Sequence, residues 1–479
     1  MTDKNNLLID VSPYDSDNDD NRLKTDKRLQ YNLSNPSPKQ KEQLNIIRQK
    51  SWPKRLFRGF QEGSLRGVVI TWMRMTLGIG ILVLPNYFKQ FGVVTAIIVL
   101  AVAYLCNLLA NHFIFEANSH TGAKDYETLI TDLLGPRMTR IFRATIIIDI
   151  SQTITVYSIV SWNLCEYIMY FFKIGEEHWK DWFIDEKKMI FNEMHPTIFL
   201  IRTVFFTVLF IILVPFLLQK RLAALQKVTI MYLVGLFLLL AIILAEVPSF
   251  HKAYKDEDIG FEYFKPFDVS WIEYFFGVIM SFYIQPFVFS LRKELLEPSL
   301  KRKKKVATIS MSLEVVLFII IGFFCYFALG DEYTPHLVIL RTPYPDKNKI
   351  SEIIFRAIIG VFFIINSIGL PVFNITLREY IHNLFSTHNT KLFFRLTSLL
   401  PYLTIFVLAV VYPYVVGIIN FFGFTVCNFN GFIIPALLKI AILKERKASK
   451  FKIFLCYLFT IFLGGMGMAA LLFRLIGWT

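Results

Sequence analysis

Cysteine, histidine and charge are all scarce in this sequence, and each scarcity removes a class of protein. Only five cysteines occur in 479 residues, at positions 106, 165, 325, 427 and 456. No two have metal-ligand spacing, and an odd number forms no complete disulfide framework. Packing is their default role, and a Cys165–Cys325 bridge near the outer surface is the one pairing considered. Of the eight histidines, only His112 is well placed near a long apolar run. The sequence has no His-Glu-x-x-His motif, no nucleophile elbow and no Walker A loop. A membrane acyltransferase or protease would need His, Ser or Asp at catalytic spacing inside its spans, so an enzyme is disfavoured and neither a metal nor a cofactor is called for.

Charged residues make up 18% of the chain, against 54% hydrophobic and 16% aromatic. A soluble core would spread its apolar residues at helical or strand period. Here they come in blocks of the length needed to cross a bilayer, about 20 residues each. Such blocks lie near 67–90, 92–115, 141–172, 197–218, 228–247, 271–291, 306–329, 353–377, 392–411, 413–441 and 453–473. The chain therefore reads as an all-α polytopic membrane protein with about 11 transmembrane helices. Residues 392–441 are too long for one crossing, and "VYPYV" around Pro413 marks the division.

Lys and Arg in short loops set orientation. With the N-terminus cytosolic, the inside loops are about twice as rich in them as the outside loops, and they include "KRKKK" (Lys301 to Lys305) and "KERKASKFK" (Lys444 to Lys452). The net charge of +14 is mostly this topology signal, with loops lying beside anionic lipid and no nucleic-acid partner. Residues 1–66 are polar and lack long apolar runs, and they read as a disordered cytosolic tail. The remainder, 67–479, is the transmembrane domain. In the tail, "DKNNLL" places Asp3 ahead of Leu7 and Leu8, which resembles a dileucine signal read by sorting adaptors for vacuolar or lysosomal membranes. The plasma membrane is the other destination.

What the spans do show is interruption. The first contains Gly78, Gly80 and Pro85. The sixth contains Gly277, then Ser281, Tyr283 and Gln285 before Pro286. Backbone released from helical bonding is tolerated at membrane depth only where protein or a water-lined cavity satisfies it. Two breaks five spans apart mark a transporter of two inverted five-helix repeats, with substrate held at broken helices 1 and 6.

The same residues carry a family resemblance. "TLGIGILVLPNYFKQFG" (76–92) is similar to the first-span signature of the amino acid/auxin permease family, within the amino acid-polyamine-organocation superfamily. "SFYIQPFVFSLRKEL" (281–295), "NSIGLPVFNITLREYI" (366–381) and "GIINFFGFTVCNFNGFIIPALLKI" (417–440) resemble its sixth, eighth and tenth spans, in that order along the chain. The resemblance implies a secondary transporter of amino acids driven by sodium or protons. It also implies a carboxylate site at Thr76, Leu77, Gly78, Ile79 and Gly80, largely through backbone, since a helix N-terminus carries partial positive charge. Ser281, Phe282 and Gln285 would face the ammonium and side chain, with Tyr157 as a lid.

Sodium-coupled members use an Asn in the first span, where this chain places Arg74, and a hydroxyl residue in the eighth, which matches Ser367. A guanidinium beside a cation site opposes sodium; snorkelling to the cytosolic surface is the alternative role of Arg74. Intramembrane acids are costly and functional by default, which adds Asp149 and Glu314 as carriers of a coupled proton. Asp149 has an ion pair with Arg74 as its alternative role. No other obvious charge lies in the implied pocket, so small or medium neutral amino acids are the expected substrates. The long tail also allows a transceptor, a carrier-like sensor of amino acids with little transport of its own.

Overall fold

The computed structural model describes residues 65–78, 80–171, 196–218, 226–254, 259–289, 295, 299–335, 337–340, 349–385, 390–411 and 414–476. The tail with Asp3, Leu7 and Leu8, and also Ile79 and Pro413, lie outside the described residues. The secondary structure is helical throughout this set.

Thirteen helices carry most of the described residues. They are α1 Leu65–Thr76, α2 Gly80–Phe91, α3 Val93–Thr121, α4 Tyr126–Leu134, α5 Pro136–Phe171, α6 Pro196–Leu217 and α7 Gln226–Ala253. Then come α8 Ser270–Ser281, α9 Leu300–Tyr333, α10 Lys349–Phe385, α11 Lys391–Val411, α12 Val415–Glu445 and α13 Lys450–Ile476. Among the described residues nine of these, α3, α5, α6, α7 and α9 to α13, are long and apolar enough to cross a membrane. Large apolar side chains stand exposed along them, including Leu105, Ile211, Val316, Ile364 and Ile461, which suits a hydrocarbon surround and not water. The remaining apolar stretches, 65–91 and 270–289, are each broken.

Two boundaries differ from the sequence reading. The interval 116–140 is largely helical instead of loop. Gly122 ends α3 in the left-handed conformation (φ 75°), Asp125 caps α4 by accepting from the Thr128 amide at 2.8 Å, and Pro136 opens α5 at the position where its missing N–H costs nothing. Pro85 lies inside α2, so the proline is not part of the first break, which begins after α1 at Leu77 and Gly78. The glycine-rich middle of α12 is wound as π turns at Gly423–Cys427 and Phe429–Ile433.

Contacts from distant segments fix the bundle's two ends. At the basic end, Lys304 of α9 (2.5 Å) and Lys439 of α12 both reach the Glu116 carboxylate of α3. At the opposite end, the strand-like segment before α8 folds back on the bundle. Its Glu262 and Tyr263 carbonyls accept from the Val93 and Val94 amides at the start of α3, answering donors that a helix N-terminus leaves open. Its Ile259 carbonyl accepts from the Asp331 amide at 2.7 Å, beside Gly330 (φ 59°). Cys165 and Cys325 are free thiols, so the bridge considered from sequence is not formed.

Candidate functional site

The first break is tightly wound. α1 ends at Thr76. The Leu77 amide donates to Met73 O and the Gly78 amide to Thr76 O, both at 2.7 Å. The chain resumes as a helix at Gly80, where the first amides of α2 have no partner within the helix. Glycine is required here for closeness. A Cβ at Gly78 would lie 2.5 Å from the Tyr157 hydroxyl, and one at Gly80 would lie 2.8 Å from Ser281 Oγ.

The second break follows α8. Phe282 and Tyr283 donate back to Ile279 O (3.2 Å) and Met280 O (3.0 Å). A single 3-10 turn, Gln285–Phe287, then carries the chain onward. Asn107 of α3 fastens this irregular backbone. Its Nδ2 donates to Ile279 O at 3.1 Å, and its Oδ1 accepts from Gln285 Nε2 at 3.0 Å. Gln285 Oε1 in turn accepts from the Ile284 amide at 2.9 Å. The polar groups freed by unwinding are thereby paired inside the protein, as membrane depth requires.

Between the breaks lies a cavity of about 90 Å³. Thr76, Gly78 and Gly80 line one side, and Ser281 and Tyr283 line another. α5 supplies a third wall through Asp149, Thr153 and Tyr157; the first and last are eight residues, about 12 Å, apart along the helix. Tyr157 packs against Phe373 of α10 at 5.1 Å between ring centroids. Asp149 is 2% exposed and accepts two bonds, from Tyr283 Oη to Oδ2 at 2.5 Å and from Cys427 Sγ to Oδ1 at 3.4 Å.

Above the cavity, at the end away from Lys304 and Lys439, α2, α8 and α12 meet. Tyr87 Oη donates to Asn420 Oδ1 at 3.2 Å, and both press on Gly277, where a Cβ would lie 2.1 Å from Asn420 Oδ1 and 2.3 Å from Tyr87 Oη. Phe91 packs edge-on to Trp271 at 5.3 Å beside this contact.

Of the residues singled out from sequence, Thr76, Gly78, Gly80, Tyr157 and Ser281 line this cavity together with Asp149. Leu77, Phe282 and Gln285 are fully buried but do not line it. Phe282 packs on Phe318 of α9 at 4.8 Å. Glu314 of α9 is fully buried behind Thr76, whose hydroxyl it meets through Oε1. Ser367 Oγ donates to Ser161 Oγ at 3.2 Å and does not line the cavity. Ile79 and the Arg74 side chain lie outside the described residues. Asn107, Cys427 and Asn430 were missed by sequence reasoning; Asn430 accepts from Thr145 Oγ1 at 2.7 Å. Their signal was polarity inside an apolar run, as in Asn107 and Asn111 four apart. Among the described residues no cluster of His, Cys, Asp and Glu is arranged to hold a metal.

A multi-pass helical membrane protein with a buried, partly polar cavity between two broken helices is built to hold a small solute within the membrane. The family model described as transmembrane amino acid transporter protein matches residues 61–476, and the chain belongs to that family of amino acid transporters, which are not enzymes. No curated protein matches the chain.

Proposed function

We propose that the cavity binds a small or medium neutral amino acid, which the protein carries across the membrane by alternating access coupled to an ion. The observation that carries this reading is the cavity's position between the two helix breaks, one offering amides and the other carbonyls. The Leu77 and Gly78 amides are already bonded, so the substrate carboxylate falls to the amides opening α2 from Gly80 onward, with the Tyr157 hydroxyl beside it. Ser281 Oγ spends its proton on Gly277 O at 3.2 Å, which leaves its lone pairs to accept from the ammonium. A volume of about 90 Å³ holds about six to nine water-sized sites, which suits a compact amino acid. On the cavity wall, both Asp149 oxygens are already engaged, by Tyr283 and by Cys427.

The two broken stretches complete an eleven-crossing, five-plus-five arrangement with a cytosolic N-terminus, the seal at Tyr87 and Asn420 facing outward. Protons fit the coupling role better than sodium: Ser367 is engaged by Ser161, whereas two buried acids, Asp149 and Glu314, stand at and behind the cavity wall. The dileucine-like signal at Asp3, Leu7 and Leu8 would direct the protein to a vacuolar or lysosomal membrane.

Thermal stabilisation of the purified full chain by each of the twenty amino acids tests the binding site. The reading requires stabilisation by compact neutral amino acids and its loss in Ser281→Leu, which fills the cavity. Stabilisation that is unchanged in Ser281→Leu would place the ligand elsewhere.

A further inference from the structure

We infer that Glu314 holds the coupled proton and that protonated Glu314 latches α9 to the end of α1 through Thr76. This rests on the transport reading above and adds to it which acid is loaded and what the loading does. The evidence is a proton count. Thr76 has one hydroxyl proton and three acceptors within reach: Trp72 O at 3.1 Å, Met73 O at 3.4 Å and Glu314 Oε1. A threonine hydroxyl inside a helix commonly bonds back to the carbonyl four residues earlier. The one Thr76 proton serves either Oε1 or the helix carbonyls; when it bonds back to Trp72 O, a proton on the glutamic acid fills the contact with Oε1 in the opposite direction.

The other carboxyl oxygen points the same way. Glu314 is fully buried, and among the described residues Oε2 has no hydrogen-bond partner. A buried unpaired carboxylate is far costlier than a buried neutral acid with one unpaired carbonyl oxygen. Asp149 is the opposite case. Each of its oxygens has a donor, so its local bonding stabilises the carboxylate.

The surroundings supply no counter-ion among the described groups. α1, α2, α3 and α7 pack against α9. On α1, Arg66 is ten residues, about 15 Å, from Thr76, and the Arg74 side chain lies outside the described residues. On α2, Tyr87 is committed to Asn420, and Lys89 reaches Thr334 O at the far end of α9. On α3, Tyr104 bonds Ser312 at 3.0 Å, His120 bonds Glu445 at 2.9 Å, and His112 shares the face of Glu116, whose carboxylate is held by Lys304 and Lys439. Cys106 of α3 is a free thiol. On α7, Glu246, His251, Lys252 and Tyr254 lie toward the opposite end, where His251 stacks on Phe327 at 4.4 Å, about 20 Å along α9 from Glu314. Lys227 and Tyr232 are at the start of that helix, and their side chains lie outside the described residues.

In the transport cycle a proton from water on the loading side adds to Glu314, and the neutral acid donates to Thr76 and closes the latch. The same proton leaves to water on the other side, and the carboxylate then repels burial and frees α1. Because Thr76 also lines the cavity, the latch and the substrate act on one residue.

The test reconstitutes full-length wild type, Glu314→Gln and Thr76→Val into liposomes, and measures both amino acid counterflow and accumulation under an imposed proton gradient. Gln can donate to Thr76 as the protonated acid does, but it cannot release a proton. Glu314→Gln is expected to keep counterflow, lose its pH dependence and accumulate substrate only to a ratio of about one, as an uncoupled carrier must. Thr76→Val loses the latch and is expected to lose gradient-driven accumulation as well, and it carries the test should the Gln variant not remain monodisperse. Asp149→Asn keeps the wild-type pH dependence of whatever uptake it shows. Proton-driven accumulation with a wild-type pH profile in Glu314→Gln, or in Thr76→Val where the Gln variant is not monodisperse, would overturn the latch and leave the transport reading standing. Absence of both counterflow and accumulation in wild type would instead overturn the transport reading itself.

Discussion

Gly78→Ala should weaken substrate binding through a single atom. The added Cβ would lie 2.5 Å from Tyr157 Oη, yet 3.6 Å from Cζ, which is ordinary contact. The whole conflict is therefore with the hydroxyl. Relief requires the ring to tilt off Phe373, with which it packs at 5.1 Å, or the backbone at Gly78 to shift away from it. Overpacking of this kind costs about 1–3 kcal/mol, and a loss of about 1.4 kcal/mol, in the lower half of that range, is about tenfold in affinity. Tyr157→Phe removes the clashing atom, so the double variant should recover most of what Gly78→Ala loses. Titration of purified protein with a stabilising amino acid, following the shift in Tm, measures all four corners of the cycle. Two independent, additive losses would refute the reasoning, because they would show that the glycine and the tyrosine do not meet at the site.

Three further outcomes follow from the same geometry. Asn107→Leu strands Gln285 Nε2 inside the bundle and leaves the Ile279 carbonyl with the Phe282 amide alone; a buried unpaired group costs about 1–3 kcal/mol, so Tm should fall and uptake should drop with it. Gly330→Ala places a Cβ 2.1 Å from the Ile259 carbonyl oxygen at a φ of +59°. Both partners there are backbone, so a loss of about 1–3 kcal/mol should appear in the unfolding midpoint while affinity for substrate is retained. Gly277→Ala forces Tyr87 and Asn420 apart, and a cysteine introduced below the seal should then react faster with a reagent added from the outer side; an unchanged rate would show that the seal lies elsewhere.

The sequence displayed the membrane character, the order of the apolar blocks and the two interruptions, because hydrocarbon thickness and Gly/Pro placement leave direct marks on composition. It displayed the cavity only in part. Thr76, Gly78, Gly80 and Ser281 were legible through the first-span and sixth-span patterns and Tyr157 through the family resemblance, but the commitments of individual atoms were not. That the Leu77 and Gly78 amides bond back to Met73 and Thr76 depends on local winding that no residue type dictates. Gln285 has the polarity of a ligand and is instead absorbed by Asn107 and its own backbone, a pairing set by how α3 lies against α8. Pro85 shows the opposite failure: it has the chemistry of a breaker and is accommodated inside α2. Distant pairs such as Asp149 with Cys427, or Tyr87 with Asn420, come from packing between segments hundreds of residues apart, and spacing along the chain says nothing of them.

Carriage of an amino acid across the membrane by the cavity between the helix breaks is the proposed function. Its most direct test is uptake of labelled amino acids into liposomes containing the purified full chain, with sodium and proton gradients imposed separately. Saturable uptake of small or medium neutral amino acids, accelerated by the proton gradient and abolished by Ser281→Leu, is the predicted result. No movement of any amino acid under either gradient would contradict it.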